Sequence, residues 1–169
     1  MKTAISKIAI CIFAVTATIA CKKEKTNNDY IATLSMSVNG TPYTSNNAFA
    51  FINNNSLLFG VQQQNDLDIF SGSSYIGNAI NTDYTIDVNT VTSGGGLSQI
   101  LYQRRSSITD VYNFPLGDER GRFSYRIIKK QTIGSGPNST KCDINFSGVL
   151  YKINDGLDSI VITNGTIRH

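Results

Sequence analysis

Ala32-Thr33-Leu34-Ser35-Met36-Ser37-Val38 alternates apolar and polar residues without a break, and Asn39-Gly40 follows it directly. A chain extended with a two-residue repeat puts Ala32, Leu34, Met36 and Val38 on one face and Thr33, Ser35 and Ser37 on the other. Asn and Gly accept the positive φ that a two-residue hairpin requires. The stretch therefore predicts a strand over 31–38 that folds back on roughly 41–45.

Working outward, the same grammar repeats. Phe49 to Ile52 runs into Asn53-Asn54-Asn55, Leu57 to Gln63 into Asn65-Asp66, and Leu67 to Phe70 into Ser71-Gly72-Ser73-Ser74. Tyr84 to Val88, Ile100 to Gln103, Ile108 to Phe114, Phe123 to Lys129, Cys142 to Tyr151 and Ser159 to Ile167 continue the series, with Asp155-Gly156 as a further expected hairpin turn. No stretch sustains helical spacing, and Gly94-Gly95-Gly96 and Gly134-Ser135-Gly136-Pro137-Asn138 read as loops. The expected fold is all-β: an antiparallel β-sandwich of about 8–10 short strands, with a closed β-barrel as the alternative. Residues 31–169 are a usual length for one domain.

The first thirty residues read differently. Lys2 and Lys7 precede a 13-residue run, Ile8 to Ala20, that is short of the ~20 apolar residues a membrane-spanning helix needs. This is the layout of a secretory signal peptide over 1–20. The run ends in Thr18-Ile19-Ala20-Cys21, which resembles a bacterial lipobox with Thr18 where Leu is usual, so Cys21 is the expected lipidation site and 21–30 a polar tether. An ordinary signal peptide with a chance cysteine at the cut is the plainer alternative. Residues 1–30 hold five Lys against Glu24 and Asp29, a net +3 that equals the charge of the whole chain, so residues 31–169 balance. A balanced domain argues against nucleic acid as a partner, because nucleic-acid binding calls for a basic folded surface.

The layout resembles the small lipoproteins of the Bacteroidota that carry domains of unknown function. The residues that carry the likeness are the leader with Cys21, Met36-Ser-Val-Asn-Gly-Thr-Pro-Tyr43 near the start, and Phe146-Ser-Gly-Val-Leu150 with Ile162-Thr-Asn-Gly-Thr-Ile167 near the end. The resemblance implies a compact β fold and an outer-membrane, lipid-anchored location, periplasmic or at the cell surface; it brings no catalytic residues. Surface display in such proteins goes with acids close behind the lipidated cysteine. Lys22-Lys23-Glu24-Lys25 has one acid among three bases, which leaves both locations open. The resemblance also gives Asp158-Ser159-Ile160 as a short O-glycosylation pattern.

Chemistry-bearing residues are few. Cys142 is the one cysteine of 31–169, and its alternation with Ile144 and Phe146 makes it a core thiol. The one His is the terminal His169 and none is internal, which argues against a Ser-His-Asp or Cys-His arrangement. No cofactor is expected. Asp118-Glu119 could serve a two-carboxylate hydrolase acting on polysaccharide, although adjacent acids in a turn are more often solvated. Asp66 and Asp68 share a strand parity that could help hold Ca²⁺, against the plainer reading of an outward polar face. Arg120, Arg122 and Arg126 share even parity opposite Phe123, Tyr125 and Ile127, a basic stripe suited to an anionic glycan or an acidic partner, or simply a solvated face. Together these features favour a non-enzymatic binding or accessory module for a protein or glycan, with a hydrolase and a structural envelope component as alternatives.

Overall fold

The computed structural model describes residues 31–61, 68–92, 96–106, 109–115, 119–134 and 140–169. The expected signal peptide, Cys21, the tether, Asp66 and Asp118 lie outside them. The described chain forms β1 (Ala32–Val38), β2 (Thr41–Asn53), β3 (Ser56–Val61), β4 (Ile69–Ser74), β5 (Asp83–Ile86), β6 (Gln99–Gln103), β7 (Val111–Phe114), β8 (Arg122–Thr132), β9 (Thr140–Lys152) and β10 (Asp155–Arg168). These ten strands pair antiparallel in one sheet of order β10-β1-β2-β3-β4-β6-β7-β9-β8-β5, and β9 also pairs with β10 and β2. The sheet thus folds over on itself, sandwich-like, around one core.

β1 obeys its alternation: Ala32, Leu34, Met36 and Val38 are all buried. Asn39 and Gly40 take φ of 50° and 82° and return the chain to Thr41, opposite Val38. Across the interior, Phe59 of β3 stacks on Phe123 of β8 with ring centroids 5.5 Å apart, and Phe70 of β4 stacks on Phe146 of β9 at 5.2 Å. Burying each such ring contributes about 1.5–3 kcal/mol, and these four tie together strands that share no ladder. The Tyr125 hydroxyl in this core is satisfied: it lies 2.8 Å from Ser74 Oγ and donates to Gly77 O at 2.6 Å.

Three local expectations change. The runs 41–45 and 49–52 belong to one 13-residue strand, β2, which absorbs Asn46-Asn47 in a register shift against β1 instead of breaking. Ser45 Oγ accepts a hydrogen bond from the Asn47 N–H there. The β9–β10 turn is Ile153-Asn154, with Asn154 at φ 66°; Asp155 already pairs with Lys152, so Asp155-Gly156 lies within the strand, where the register then shifts. Ser71-Gly72-Ser73-Ser74, expected as a turn, is the body of β4. Gly72 faces inward beneath the Phe59 ring, where a Cβ would sit 2.4 Å from Phe59 Cζ. Large ring and missing side chain fit together, and the strand continues.

Candidate functional site

β5, β8, β9 and β10 lie side by side, and their outward residues form a polar groove of about 560 Å³. Strand register builds it. Asp83, Arg126, Asn145 and Thr166 stand opposite one another across the four strands, and Thr85, Ser124 and Ser147 form the next row. Asn164, at φ 52°, joins the lining because β10 carries a bulge there: burial passes from Ile160 and Ile162 to Gly165 and Ile167 across a shift in register. The bulge turns a strand-interior asparagine toward solvent.

The groove's charges are held in place by one another. Arg126 Nε donates to Asp83 Oδ1 at 2.6 Å while Nη2 donates to Oδ2, a forked pair. The hydrogen bond from Arg126 holds the Asp83 carboxyl below the usual carboxylate range. Arg168 Nη1 donates to Ile144 O at 2.6 Å and its Nη2 donates to Asn145 Oδ1. Two guanidinium groups, two amides and several hydroxyls therefore line a groove whose net charge is small. The Thr85 and Ser124 hydroxyls, 3.0 Å apart, bond to each other beside it.

The three arginines of the expected stripe part company. Arg122 and Arg126 share the outward face of β8, as parity requires. Arg126 is paired with Asp83, 43 positions away in sequence. Arg120 lies before the strand, its guanidinium 4.6 Å from the centre of the Tyr151 ring and its Nη2 donating to Gly156 O at 2.5 Å. The stripe is thus one outward arginine, one neutralised arginine and one that braces the β9–β10 hairpin.

The other candidates resolve individually. Asp68 accepts hydrogen bonds at Oδ2 from Tyr102 OH and at Oδ1 from the Arg105 N–H at 3.0 Å, while its backbone O accepts from Tyr43 OH. Its carboxylate serves as an internal acceptor. Among the described residues no group of three or more His, Cys, Asp or Glu is placed to hold a metal ion. Glu119 is exposed. Cys142 is 1% exposed, and burial pushes its thiol up to about 12, which leaves it protonated and inert at neutral pH. His169 rests against Asp143, which accepts its backbone N–H at 3.0 Å. Asp158 accepts from Tyr112 OH at 3.0 Å and lies 3.7 Å from Lys152 Nζ.

A second concavity, of about 410 Å³, lies on the outward face of β2, β3, β4 and β6. Here Phe51, Leu58, Ser73 and Gln99 make one cross-strand row, and Phe49, Gly60, Ser71 and Leu101 the next. Sequence reading missed this trough. The signal is present in β2, where Ala48, Ala50 and Ile52 face inward and so send Phe49 and Phe51 outward, but the floor, Ser71-Gly72-Ser73, has the composition of a turn.

Comparison with protein-family models, with curated proteins and with solved structures finds no match to this chain, so the resemblance carried by residues 36–43 and 146–167 rests on those motifs.

Proposed function

We propose that the protein is a non-enzymatic binding module, anchored to the outer membrane through a lipid on Cys21, that presents its sheet faces to a glycan or protein partner. The observation that carries this reading is the groove across β5, β8, β9 and β10, where fixed amides, hydroxyls and guanidinium groups converge on one concave surface. Such a surface offers donors and acceptors already oriented, which lowers the entropy lost on binding. Asp83 is the one carboxylate among the described residues that line it and is engaged by Arg126, an arrangement that favours recognition over two-carboxylate hydrolysis. The forked Asp83–Arg126 pair also turns the reading away from capture of strongly acidic ligands and toward polyhydroxyl or polar peptide surfaces.

The chain enters and turns at opposite ends of the sheet. Ala32 begins β1 at the end of the sandwich that holds Arg168, whereas the Asn39-Gly40 and Ile153-Asn154 turns lie at the other. Metabolic lipid labelling of wild type and Cys21→Ala tests the anchor, and loss of label in the variant is the expected result. For the groove, Asp83→Ser combined with Arg126→Ser removes both charges together and should abolish partner capture with little change in melting temperature. Retained capture would remove the groove from consideration.

A further inference from the structure

We propose that the trough on the outward face of β2, β3, β4 and β6 binds an uncharged pyranose ring of a glycan. This narrows the glycan arm of the function above, yet it uses a different face of the sandwich and does not depend on the anchor.

The shape comes from side-chain size. In each of the two cross-strand rows a large apolar group stands on β2, and the β4 residue is a serine: Phe49 faces Gly60 and then Ser71, and Phe51 faces Leu58 and then Ser73. Beyond β4 the surface rises again at Leu101 and Gln99 of β6. The result is a channel over β4 with an aromatic wall, a hydroxyl floor and a far rim of one leucine and one amide. Gly72 keeps the floor low from below, because the Phe59 ring occupies the space beneath it. The two wall rings are 5.6 Å apart and tilted by 36°, so they present a broad, slightly angled apolar surface.

The chemistry selects the ligand. A pyranose has a face of C–H groups and a rim of hydroxyls, and it needs an apolar surface on one side with mixed donors and acceptors on the other. Phe49 and Phe51 supply the first. The Ser71 and Ser73 hydroxyls each donate and accept, and the Gln99 amide does both through separate atoms. Among the described residues, none that lines the trough is charged. A uronate, sulfate or phosphate entering it would lose hydration without gaining a counter-charge, which is costly, so the ligand is uncharged. The volume lies near the lower end of the ~300–1,000 Å³ typical of small-molecule sites, room for a ring or two of a longer chain. A protein partner fits less well: nine of the described residues line the trough, and a stable protein interface uses about 20–30 a side.

The test is calorimetric titration of the purified full chain with the hexaoses of mannose, glucose and xylose in their common linkages, and with oligogalacturonate as the acidic control. At least one neutral hexaose should bind and oligogalacturonate should not. Phe51→Ala and Phe49→Ala should each weaken binding about tenfold, and Phe51→Tyr should retain it. Ser73→Leu, which fills the floor and leaves both rings in place, should abolish it and so guards against a loss caused by misfolding. The Asp83→Ser, Arg126→Ser double variant should bind as wild type. Binding of none of the neutral hexaoses overturns the proposal, as does binding that survives the Phe49→Ala, Phe51→Ala double variant. Loss of neutral-hexaose binding in the groove variant instead of the trough variants also overturns it, and would give the sugar to the groove.

Discussion

Asn39-Gly40 and Asn164-Gly165 are one dipeptide in two structures. The asparagines have nearly the same backbone, with φ of 50° and 52°, but Gly40 follows at φ 82° whereas Gly165 does not take a positive φ. At 39–40 the chain has a strand on either side that can pair with the other, and it reverses. At 164–165 the chain is held between β1 and β9, so it cannot turn back; the left-handed asparagine is absorbed as a bulge, with a register shift against each neighbour. The two sites lie close together, since the Asn39 N–H donates to Val161 O and Asn39 Oδ1 accepts from the Val161 N–H. A dipeptide sets a local dihedral angle, and long-range pairing settles whether that angle makes a corner or a kink.

The sharpest way to break the comparison is Gly165→Ala. Its Cβ would lie 2.3 Å from Phe146 Cε2 in the packed core, so a destabilisation of about 2–3 kcal/mol is expected in urea unfolding. Adding Phe146→Leu should return part of that loss if the clash is its source. Asn39→Ala comes next. It removes the acceptor for the Val161 N–H and puts Ala at a positive φ, for about 1–2 kcal/mol in the same assay. Gly40→Ala should cost about 1 kcal/mol, because nothing lies within 4 Å of the added Cβ and the dihedral angle is the only obstacle. Asn164→Gly should be the mildest, within about 0.5 kcal/mol of wild type, since it relaxes the dihedral angle and removes an exposed side chain. If Gly40→Ala proved as damaging as Gly165→Ala, the distinction between a free corner and a packed kink would fail.

The same contrast explains what could be read in advance. Strict alternation gave the inward face of β1 and of β9 from Cys142 to Phe146, and the outward parity of Arg122 and Arg126, because parity is local to a strand. The hairpin at 39–40 was legible for the same reason. The bulge in β10 was not, because the Asn-Gly of Ile162-Thr-Asn-Gly-Thr-Ile167 carries the chemistry of a turn and only its neighbours forbid one. Ser71 to Ser74 misled in the same way: small polar residues mark turns in solvent, but beneath the Phe59 ring they are a complement to its bulk. Both concavities escaped prediction because each draws on four strands whose side-by-side order depends on distant pairings. Asp83 meets Arg126 across 43 positions, and no spacing in the sequence announces it.

The placement of β1 between β10 and β2 has a mechanical consequence. Its ladder runs from Thr33 to Val38 on one side and from Ala32 to Val38 on the other. Antiparallel hydrogen bonds lie perpendicular to the strand, so a pull along β1 from Ala32 loads both ladders in shear and strains many bonds at once, whereas a pull that peels a hairpin breaks them singly. Tension that enters through residue 31 therefore meets the stiff direction of this sheet, which would yield last where the chain enters it.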